Sequence, residues 1–411
     1  MERQAGRRAA PGPASSLGGQ RSGEAASVGA ALALGLAAAV SLGLARFSYP
    51  LLLPPMRADL AWSYLTAGAM NTVNAAGYLV GALLMPRVLT HLDARHAMLA
   101  GGLAAAVLLV MHGLASSDAT LYLLRAATGV ASAASFVGGG LLAARLASTA
   151  TKRSGLVLGL YYGGTGVGIV ASALAVPPLV ALDRPHAWQL AWWLLGAFAL
   201  LATLATAWGT RTLDGAPPAA AARERARLAP LAFGLAGYLM FGLGYIGYMT
   251  FVVTLLREQG LGGAQIVAFY VLLGLGVVAS SWLWARLLQR HRGGWPMTLL
   301  NGLLALATAL PVVSSHPLAV FASGALFGSV FLSVVASTTA LVRHNLPASA
   351  WPGGIAAFTI VFAAGQIVGP SLVGWVADGP GGLARGFVCS AGVLAFGALL
   401  SSRQRASSAA D

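Results

Sequence analysis

The chain has 411 residues, of which 57% are hydrophobic and 9% are charged, and its mean hydropathy is +0.77. Such a low charged fraction excludes an ordinary soluble domain, in which about a quarter of the residues are charged. The formal net charge is +14, but the basic residues are distributed as membrane topology requires, so no nucleic-acid partner is expected.

Apolar runs long enough to cross a bilayer recur along the chain and predict an all-α membrane protein with twelve transmembrane helices. In chain order, the predicted spans are 28–52, 64–85, 97–115, 119–143, 155–180, 188–208, 230–254, 264–285, 296–313, 318–341, 353–376 and 386–402. The short runs 296–313 and 386–402 also allow a buried or re-entrant segment.

The basic residues outside the spans lie mostly on one side of the predicted membrane. Nineteen are on the side of the two termini, and four are on the other side: Arg57, Arg184, Arg257 and Arg385. Because loops rich in Lys and Arg stay in the cytoplasm, both termini are predicted to be cytoplasmic. The expected location is a bacterial inner membrane.

The polar segments divide the chain, and an internal repeat relates its two long parts. The predicted divisions are a disordered cytoplasmic tail 1–27, a six-helix bundle 28–208, a cytoplasmic linker 209–229, a second six-helix bundle 230–402 and a cytoplasmic tail 403–411. A shift of 199 positions places Gly43 on Gly242 and Arg87 on Arg286. Two such halves, related by a pseudo-twofold axis, are expected to hold a substrate site between them.

Two arginines, Arg46 and Arg125, lie inside predicted spans, and no Asp or Glu does. A charge at the centre of a membrane helix costs about 2.5–3.5 kcal/mol on insertion scales, so it persists mainly where it faces a polar cavity or a partner. Counted from the span ends, both lie roughly 10–12 Å below the outer face. An anionic substrate is the expected partner, and snorkelling to the outer headgroups is the alternative.

Other polar and aromatic residues complete the predicted site. Asn71 and Asn74 share one helical face and serve either as substrate ligands or as links between helices. The remaining predicted substrate contacts are Tyr49, Tyr245, Tyr248 and Gln366. Tyr245 and Tyr248 belong to an aromatic stripe on one face of the seventh span, which also suits simple packing. The residues predicted to act in gating are Arg87, Asp93, Arg95, Arg286, Gly369 and Pro370.

The fourth span carries an arginine followed four residues later by glycine, in the run Leu121-Tyr-Leu-Leu-Arg125-Ala-Ala-Thr-Gly129. With twelve spans in two halves and a basic loop after the second and eighth spans, this run resembles the major facilitator superfamily. Two stretches resemble its YbfB/YjiJ-type subfamily of bacterial transporters: 43–54 and 241–251. The resemblance covers about residues 28–402 and implies the major facilitator fold. The loop 85–95 departs from the superfamily pattern at Pro86, Thr90 and Asp93.

These features predict a secondary active or facilitative transporter that moves a small organic anion by alternating access. A monocarboxylate or aromatic acid is expected between Arg46 and Arg125, with Tyr245 and Tyr248 opposite. The alternative is an exporter of a small neutral or amphipathic compound. A polytopic membrane enzyme is a distant alternative, because no catalytic motif is present. The expected partners are the substrate and the bilayer, the expected state is a monomer, and neither a cofactor nor a metal is expected. Import versus export and coupling to protons stay open.

Overall fold

The computed structural model describes residues 27–149, 153–182, 184–213 and 226–406, and these residues form helices joined by short loops. Most of the predicted tail 1–27, the centre of the predicted linker and the last five residues lie outside the described ranges. The twelve long helices, in chain order, are α1 (Ser27–Asp59), α2 (Tyr64–Val88), α3 (Ala94–His112), α4 (Asp118–Thr149), α5 (Ser154–Val180), α6 (Ala187–Gly209), α7 (Ala232–Glu258), α8 (Gly263–Leu283), α9 (Trp295–Val313), α10 (Pro317–Asn345), α11 (Trp351–Ala377) and α12 (Gly382–Ser402).

The prediction of twelve membrane helices is confirmed. Eleven of these helices are long and apolar enough to cross a membrane, and α2 is less apolar because it carries Asn71, Thr72 and Asn74. The two short runs form the helices α9 and α12, of 19 and 21 residues. At 1.5 Å per residue each is about 30 Å long, which matches the hydrocarbon core, so the re-entrant alternative is not needed.

The helices pack as two groups, α1 to α6 and α7 to α12. In the first group α4 packs on α2 and α3, and in the second α12 packs on α7 and α9. The groups meet along α2 with α11 and along α5 with α8. Glycine permits a close approach of α5 to α8, because a Cβ added at Gly166 of α5 would lie 2.4 Å from the carbonyl oxygen of Gly274 in α8.

Helix α1 is irregular where the sequence predicted an uninterrupted span. Its first part, residues 27–38, passes into a π-helix over Ala39–Leu44 and a turn at 45–48 before the α-helix resumes at Tyr49. Helix α1 packs closely against α5 at this wide turn. A Cβ added at Gly43 would lie only 2.6 Å from the Cα of Gly168. Arg46 lies in this turn, where the backbone leaves regular α-helical geometry.

Gly369 and Pro370, which the sequence predicts to act in gating, lie where α11 packs against α2. Helix α11 is continuous through both residues, with Pro370 inside it. A proline in a helix interior still removes one backbone donor, and the carbonyl of Pro370 meets α2, since a Cβ added at Gly68 would lie 2.3 Å from its oxygen. This segment therefore belongs to the contact between the two helix groups.

The two groups are joined tightly at one end of the bundle. The carboxylate of Asp378, just after α11, accepts hydrogen bonds from the backbone N–H groups of Tyr64 (2.7 Å) and Leu65 (2.9 Å) in α2. The Tyr64 hydroxyl donates to Glu258 at the end of α7. The guanidinium of Arg57 in α1 lies 3.8 Å from the Tyr64 ring and 4.0 Å from Glu258. We call these five residues the closing cluster. It lies at the end of the bundle that is predicted to face outside.

Candidate substrate site

Arg46 begins a chain of hydrogen bonds that crosses from the first helix group to the second. Its Nη2 donates to the Oε1 of Gln366 in α11 (2.7 Å), and the Nε2 of Gln366 donates to the hydroxyl of Tyr245 in α7 (2.5 Å). All three side chains are buried, with Arg46 only 3% exposed and Gln366 4% exposed. The irregular turn of α1, together with α7 and α11, therefore places one guanidinium at the contact between the groups.

Arg125 of α4 is also buried, and its guanidinium contacts a backbone carbonyl, a side-chain amide and an aromatic ring. Nη1 donates to the carbonyl oxygen of Ala45 in the turn of α1 (3.0 Å), and Nη2 donates to Oδ1 of Asn71 in α2 (3.2 Å). The guanidinium carbon lies 4.8 Å from the centre of the Tyr49 ring. Arg125 thus supports the backbone beside Arg46, because the widened turn leaves the Ala45 carbonyl available for a side-chain donor.

The amide of Asn71 extends this second network across the contact between the groups. Its Nδ2 donates to Oγ1 of Thr250 in α7 (2.7 Å). Asn74 acts differently, because its Nδ2 donates to the backbone carbonyl of Arg125 (3.0 Å) and links α2 to α4. Of the two roles left open by the sequence, Asn74 therefore has the contacts of a helix link.

No carboxylate of the described residues lies within ion-pair distance of either arginine. The described acidic residues all lie at helix ends or in loops: Asp59, Asp93, Asp118, Glu258 and Asp378. The Nε atoms of Arg46 and Arg125 are buried and have no hydrogen-bond partner within the ranges that the structure covers. Every described acceptor of the two guanidiniums is a neutral oxygen. Within the described ranges, the site therefore carries positive charge without an acidic counterpart.

A wall of aromatic rings adjoins the Arg46 chain. The ring of Tyr245 stacks on Phe241 (4.6 Å between centres), Phe362 (5.6 Å) and Phe331 (5.9 Å). Tyr78 of α2 also lies near this cation, with its ring centre 6.0 Å from the guanidinium carbon of Arg46. These stacked rings form a buried apolar surface beside the cation.

Two predicted site tyrosines have their hydroxyl groups engaged elsewhere. Tyr49 lies beside Arg125 but donates its hydroxyl to the carbonyl of Ala67 (2.9 Å). The hydroxyl of Tyr248 hydrogen-bonds to Ser323 (2.7 Å), and its ring stacks on Phe327, 3.9 Å away, within the second helix group. Tyr245, rather than Tyr248, joins the Arg46 chain.

The predicted gating residues do not form one cluster. Arg87 and Arg286 are exposed at the end of the bundle opposite to the closing cluster. Asp93 caps α3 by accepting from the backbone N–H of His96 (2.9 Å), and this hydrogen bond lowers the pKa of its carboxyl. Arg95 donates to the backbone carbonyls of Ala207 (2.7 Å) and Thr210 (3.1 Å), which ties α3 to α6 inside the first group.

Sequence reasoning missed several residues of the site and of the closing cluster. Thr250 had a usable signal in the sequence, because it follows the aromatic stripe of α7. In the structure it is the buried acceptor for Asn71. Phe362 and Tyr78 had none, because single aromatic residues are common in apolar helices. Asp378 and Glu258 resembled ordinary solvated residues at helix ends.

The comparison with known families agrees with this architecture. The family model described as "Uncharacterised MFS-type transporter YbfB" matches residues 38–402. The chain belongs to this YbfB-type family of the major facilitator superfamily. The resemblance seen in the sequence is therefore confirmed, as is the prediction that the protein is a transporter and not an enzyme.

Three further proteins are similar to this YbfB-type transporter in sequence or in fold. A chloramphenicol resistance protein of Streptomyces lividans is 28% identical over 361 residues, covering 82% of this chain and 88% of the relative. A bacterial homologue of the human lysosomal transporter Spinster, solved in an inward-facing and unoccupied conformation, has a TM-score of 0.70 at 14% identity, covering 92% of this chain and 98% of its own. The nucleoside transporter NupG has a TM-score of 0.68 at 13% identity, covering 92% of this chain and 100% of its own. At these identities the two structures show the fold alone.

Proposed function

We propose that this YbfB-type transporter carries a small organic anion with a flat apolar body, such as an aromatic monocarboxylate, and binds it at Arg46. The observation that supports the proposal is the buried guanidinium of Arg46, whose one described hydrogen-bond acceptor is the neutral amide oxygen of Gln366. A substrate carboxylate would supply the missing negative charge, because a guanidinium matches a carboxylate in both charge and geometry. The rings of Tyr245 and Phe362 would receive the apolar body.

Arg125 has a supporting part in this proposal. Its two terminal nitrogens already bind Ala45 and Asn71, whereas Arg46 has a single described acceptor. We assign the direct substrate contact to Arg46. Arg125 holds the turn in which Arg46 lies and adds its positive charge to the site.

Transport would proceed by rocking of the two helix groups about this site. The closing cluster joins the groups at the end that we propose faces outside, so this proposal describes the carrier as closed on that side. In the proposed arrangement the protein is a monomer of the bacterial inner membrane with both termini in the cytoplasm. One chain supplies both halves of the site.

Export of a neutral aromatic compound is the second candidate. Two observations favour it: the aromatic wall around Tyr245, and the name of the Streptomyces lividans relative, which associates that protein with chloramphenicol resistance. Resistance by a transporter points to outward movement, so export is the proposed direction for both candidates.

Binding of benzoate and of benzamide to purified protein separates the two candidates. Both compounds have the same ring, and only benzoate has a charge. If Arg46 binds the carboxylate, Arg46→Gln should weaken benzoate binding roughly 10–100-fold, because hydrogen bonds to charged groups contribute about 1.5–3 kcal/mol. Arg46→Lys should keep part of the benzoate affinity, because lysine retains the positive charge but lacks the planar guanidinium that can bind a carboxylate through two nitrogens. The matched control is Arg211→Gln, which removes an exposed arginine that stacks on Trp208.

The outcomes are distinct for the two candidates. Tighter binding of benzoate than of benzamide, lost in Arg46→Gln and kept in Arg211→Gln, supports the anion carrier. Equal binding of both compounds, unaffected by Arg46→Gln, contradicts it. Binding of chloramphenicol independent of Arg46, with outward counterflow in proteoliposomes, would support the second candidate.

A further inference from the structure

We propose that the amide of Gln366 is an internal substitute for the substrate carboxylate, and that the anion must displace it from Arg46 in order to bind. This inference rests on the proposed function, because it concerns the same site. It assigns to Gln366 the role of a residue that determines which acceptors the site admits and that links binding to movement of the helix groups.

The geometry places Gln366 where a substrate oxygen would lie. Its Oε1 accepts from Nη2 of Arg46 at 2.7 Å, which is the usual separation for a charged N–H donor and an oxygen acceptor. The other end of the amide is fixed as well, because Nε2 donates to the Tyr245 hydroxyl at 2.5 Å. Gln366 is therefore held by both of its polar atoms in one orientation, with its oxygen toward the guanidinium.

A neutral amide suits this role better than a carboxylate. An acidic residue at position 366 would neutralise Arg46 permanently and leave no charge for a substrate. The amide oxygen satisfies one guanidinium donor in the empty carrier but cancels none of its charge. A substrate carboxylate is therefore the stronger acceptor and displaces the Gln366 amide from Arg46. A neutral amide or ester of similar shape is no stronger an acceptor than Gln366, so it displaces Gln366 poorly.

The displaced hydrogen bond also crosses between the helix groups. Arg46 belongs to α1, and Gln366 and Tyr245 belong to α11 and α7. In the empty carrier this chain stabilises the closed arrangement that the closing cluster also favours. When an anion takes the place of Gln366 on Arg46, one bond between the groups is removed. Binding would thus favour rocking by differential stabilisation of the two end states.

Two substitutions of Gln366 test the inference, and they are expected to act in opposite directions. Gln366→Glu places a permanent anion on Arg46, so benzoate binding to the purified protein should weaken at least about tenfold. Gln366→Leu removes the internal competitor, so benzoate should bind roughly threefold to tenfold more tightly than to the unaltered protein. The matched control is Gln265→Glu, the same change at an exposed position in the first turn of α8.

A readout of movement accompanies the binding measurement. Thr254 lies buried one helical turn before Glu258 in α7. On a Cys389→Ser background, Gln366→Leu should also raise the rate at which Thr254→Cys reacts with a membrane-impermeant maleimide in the absence of substrate. Benzoate should raise that rate in the unaltered carrier and have little further effect in Gln366→Leu.

The outcomes separate this inference from the proposed function. Failure of the unaltered protein to prefer benzoate over benzamide contradicts the proposed function itself. If the preference exists, unchanged benzoate affinity in Gln366→Glu overturns the inference. It is also overturned if Gln366→Leu loses benzoate binding as Arg46→Gln does, because Gln366 would then be a substrate contact and not a competitor. If the Glu variant does not fold, the direction of the change in the Leu variant decides alone.

Discussion

Asp378→Asn should open the closed end of the carrier more often. In the structure the Asp378 carboxylate accepts hydrogen bonds from the backbone N–H groups of Tyr64 and Leu65, at 2.7 and 2.9 Å. These donors lie in the first turn of α2, where N–H groups have no partner within the helix. The negative charge also faces the positive end of the α2 dipole. Asparagine keeps one acceptor oxygen and loses both the second acceptor and the charge.

The magnitude follows from these contacts. Removing one acceptor costs about 0.5–1.5 kcal/mol, and losing the charge at a helix N-terminus costs roughly 0.3–1 kcal/mol more. Asp378 is exposed, so solvent screening reduces both contributions and a total of about 1 kcal/mol is reasonable. With RT near 0.59 kcal/mol, the population open at this end should rise about fivefold.

A single cysteine can report that opening. Cys389 is the only cysteine of the chain and is exposed, so Cys389→Ser gives a clean background. Thr254→Cys is the reporter, because Thr254 lies one helical turn before Glu258 on the same face of α7 and is buried. A membrane-impermeant maleimide added outside cells should label it about fivefold faster when Asp378→Asn is present.

The control and the contradictory result are well defined. Asp118→Asn alters another exposed carboxylate at the same end, which accepts from Trp62 inside the first helix group (2.8 Å), and it should leave the labelling rate unchanged. Equal rates for the Asp378 variant and its background would show that this carboxylate does not hold the groups together. Faster labelling only from the cytoplasmic side would reverse the predicted orientation.

Two further predictions concern other charged residues. Arg125→Gln should lower the thermal unfolding temperature of the purified protein, because it leaves the Ala45 carbonyl and the Asn71 amide oxygen without their donor at a cost of about 1–3 kcal/mol for each buried group; an unchanged unfolding temperature would count against its supporting part. Arg87→Gln or Arg286→Gln should change the rate of counterflow more than the affinity for benzoate, since both residues are exposed at the end of the bundle opposite to the closing cluster. Weaker binding at an unchanged rate would instead assign them to substrate contact.

The helices and the two interior arginines were predictable because the bilayer imposes simple rules. Long runs of apolar residues span it, and a lone cation inside such a run is costly unless it faces a polar cavity or a partner. The depth argument also brought Arg46 and Arg125 to one region, and the structure joins Arg125 to the residue that precedes Arg46. The sequence did not show which residue is the hydrogen-bond partner of Arg46. Gln366 lies 320 positions from Arg46 along the chain, and only the packing of α11 against the first group brings them together.

The closing cluster illustrates a second limit of sequence reasoning. Asp378 at the end of α11 has no local feature that distinguishes it from any other polar residue that terminates a helix. Its role depends on the start of α2, because the unpaired N–H groups there lie opposite its carboxylate. The sequence instead predicts most gating residues in the basic loops, where charge patterns are conspicuous, but there Arg95 and Asp93 bind within the first helix group.

The π-helical turn of α1 has a consequence for how the two halves are compared. The internal repeat aligns Gly43 with Gly242 and Tyr49 with Tyr248, residue for residue. However, α7 is a regular α-helix over that stretch, whereas α1 is not. The wide turn, in which the N–H of Phe47 donates to the carbonyl of Leu42, is followed by a tight turn, in which the N–H of Tyr49 donates to the carbonyl of Arg46. Aligned positions therefore still meet corresponding helices, since Tyr49 lies beside Arg125 of α4 and Tyr248 stacks on Phe327 of α10. Deleting one residue from Ala39–Leu44 would remove the wide turn and keep the tight one, so it should rotate Arg46 by about 100° away from Gln366.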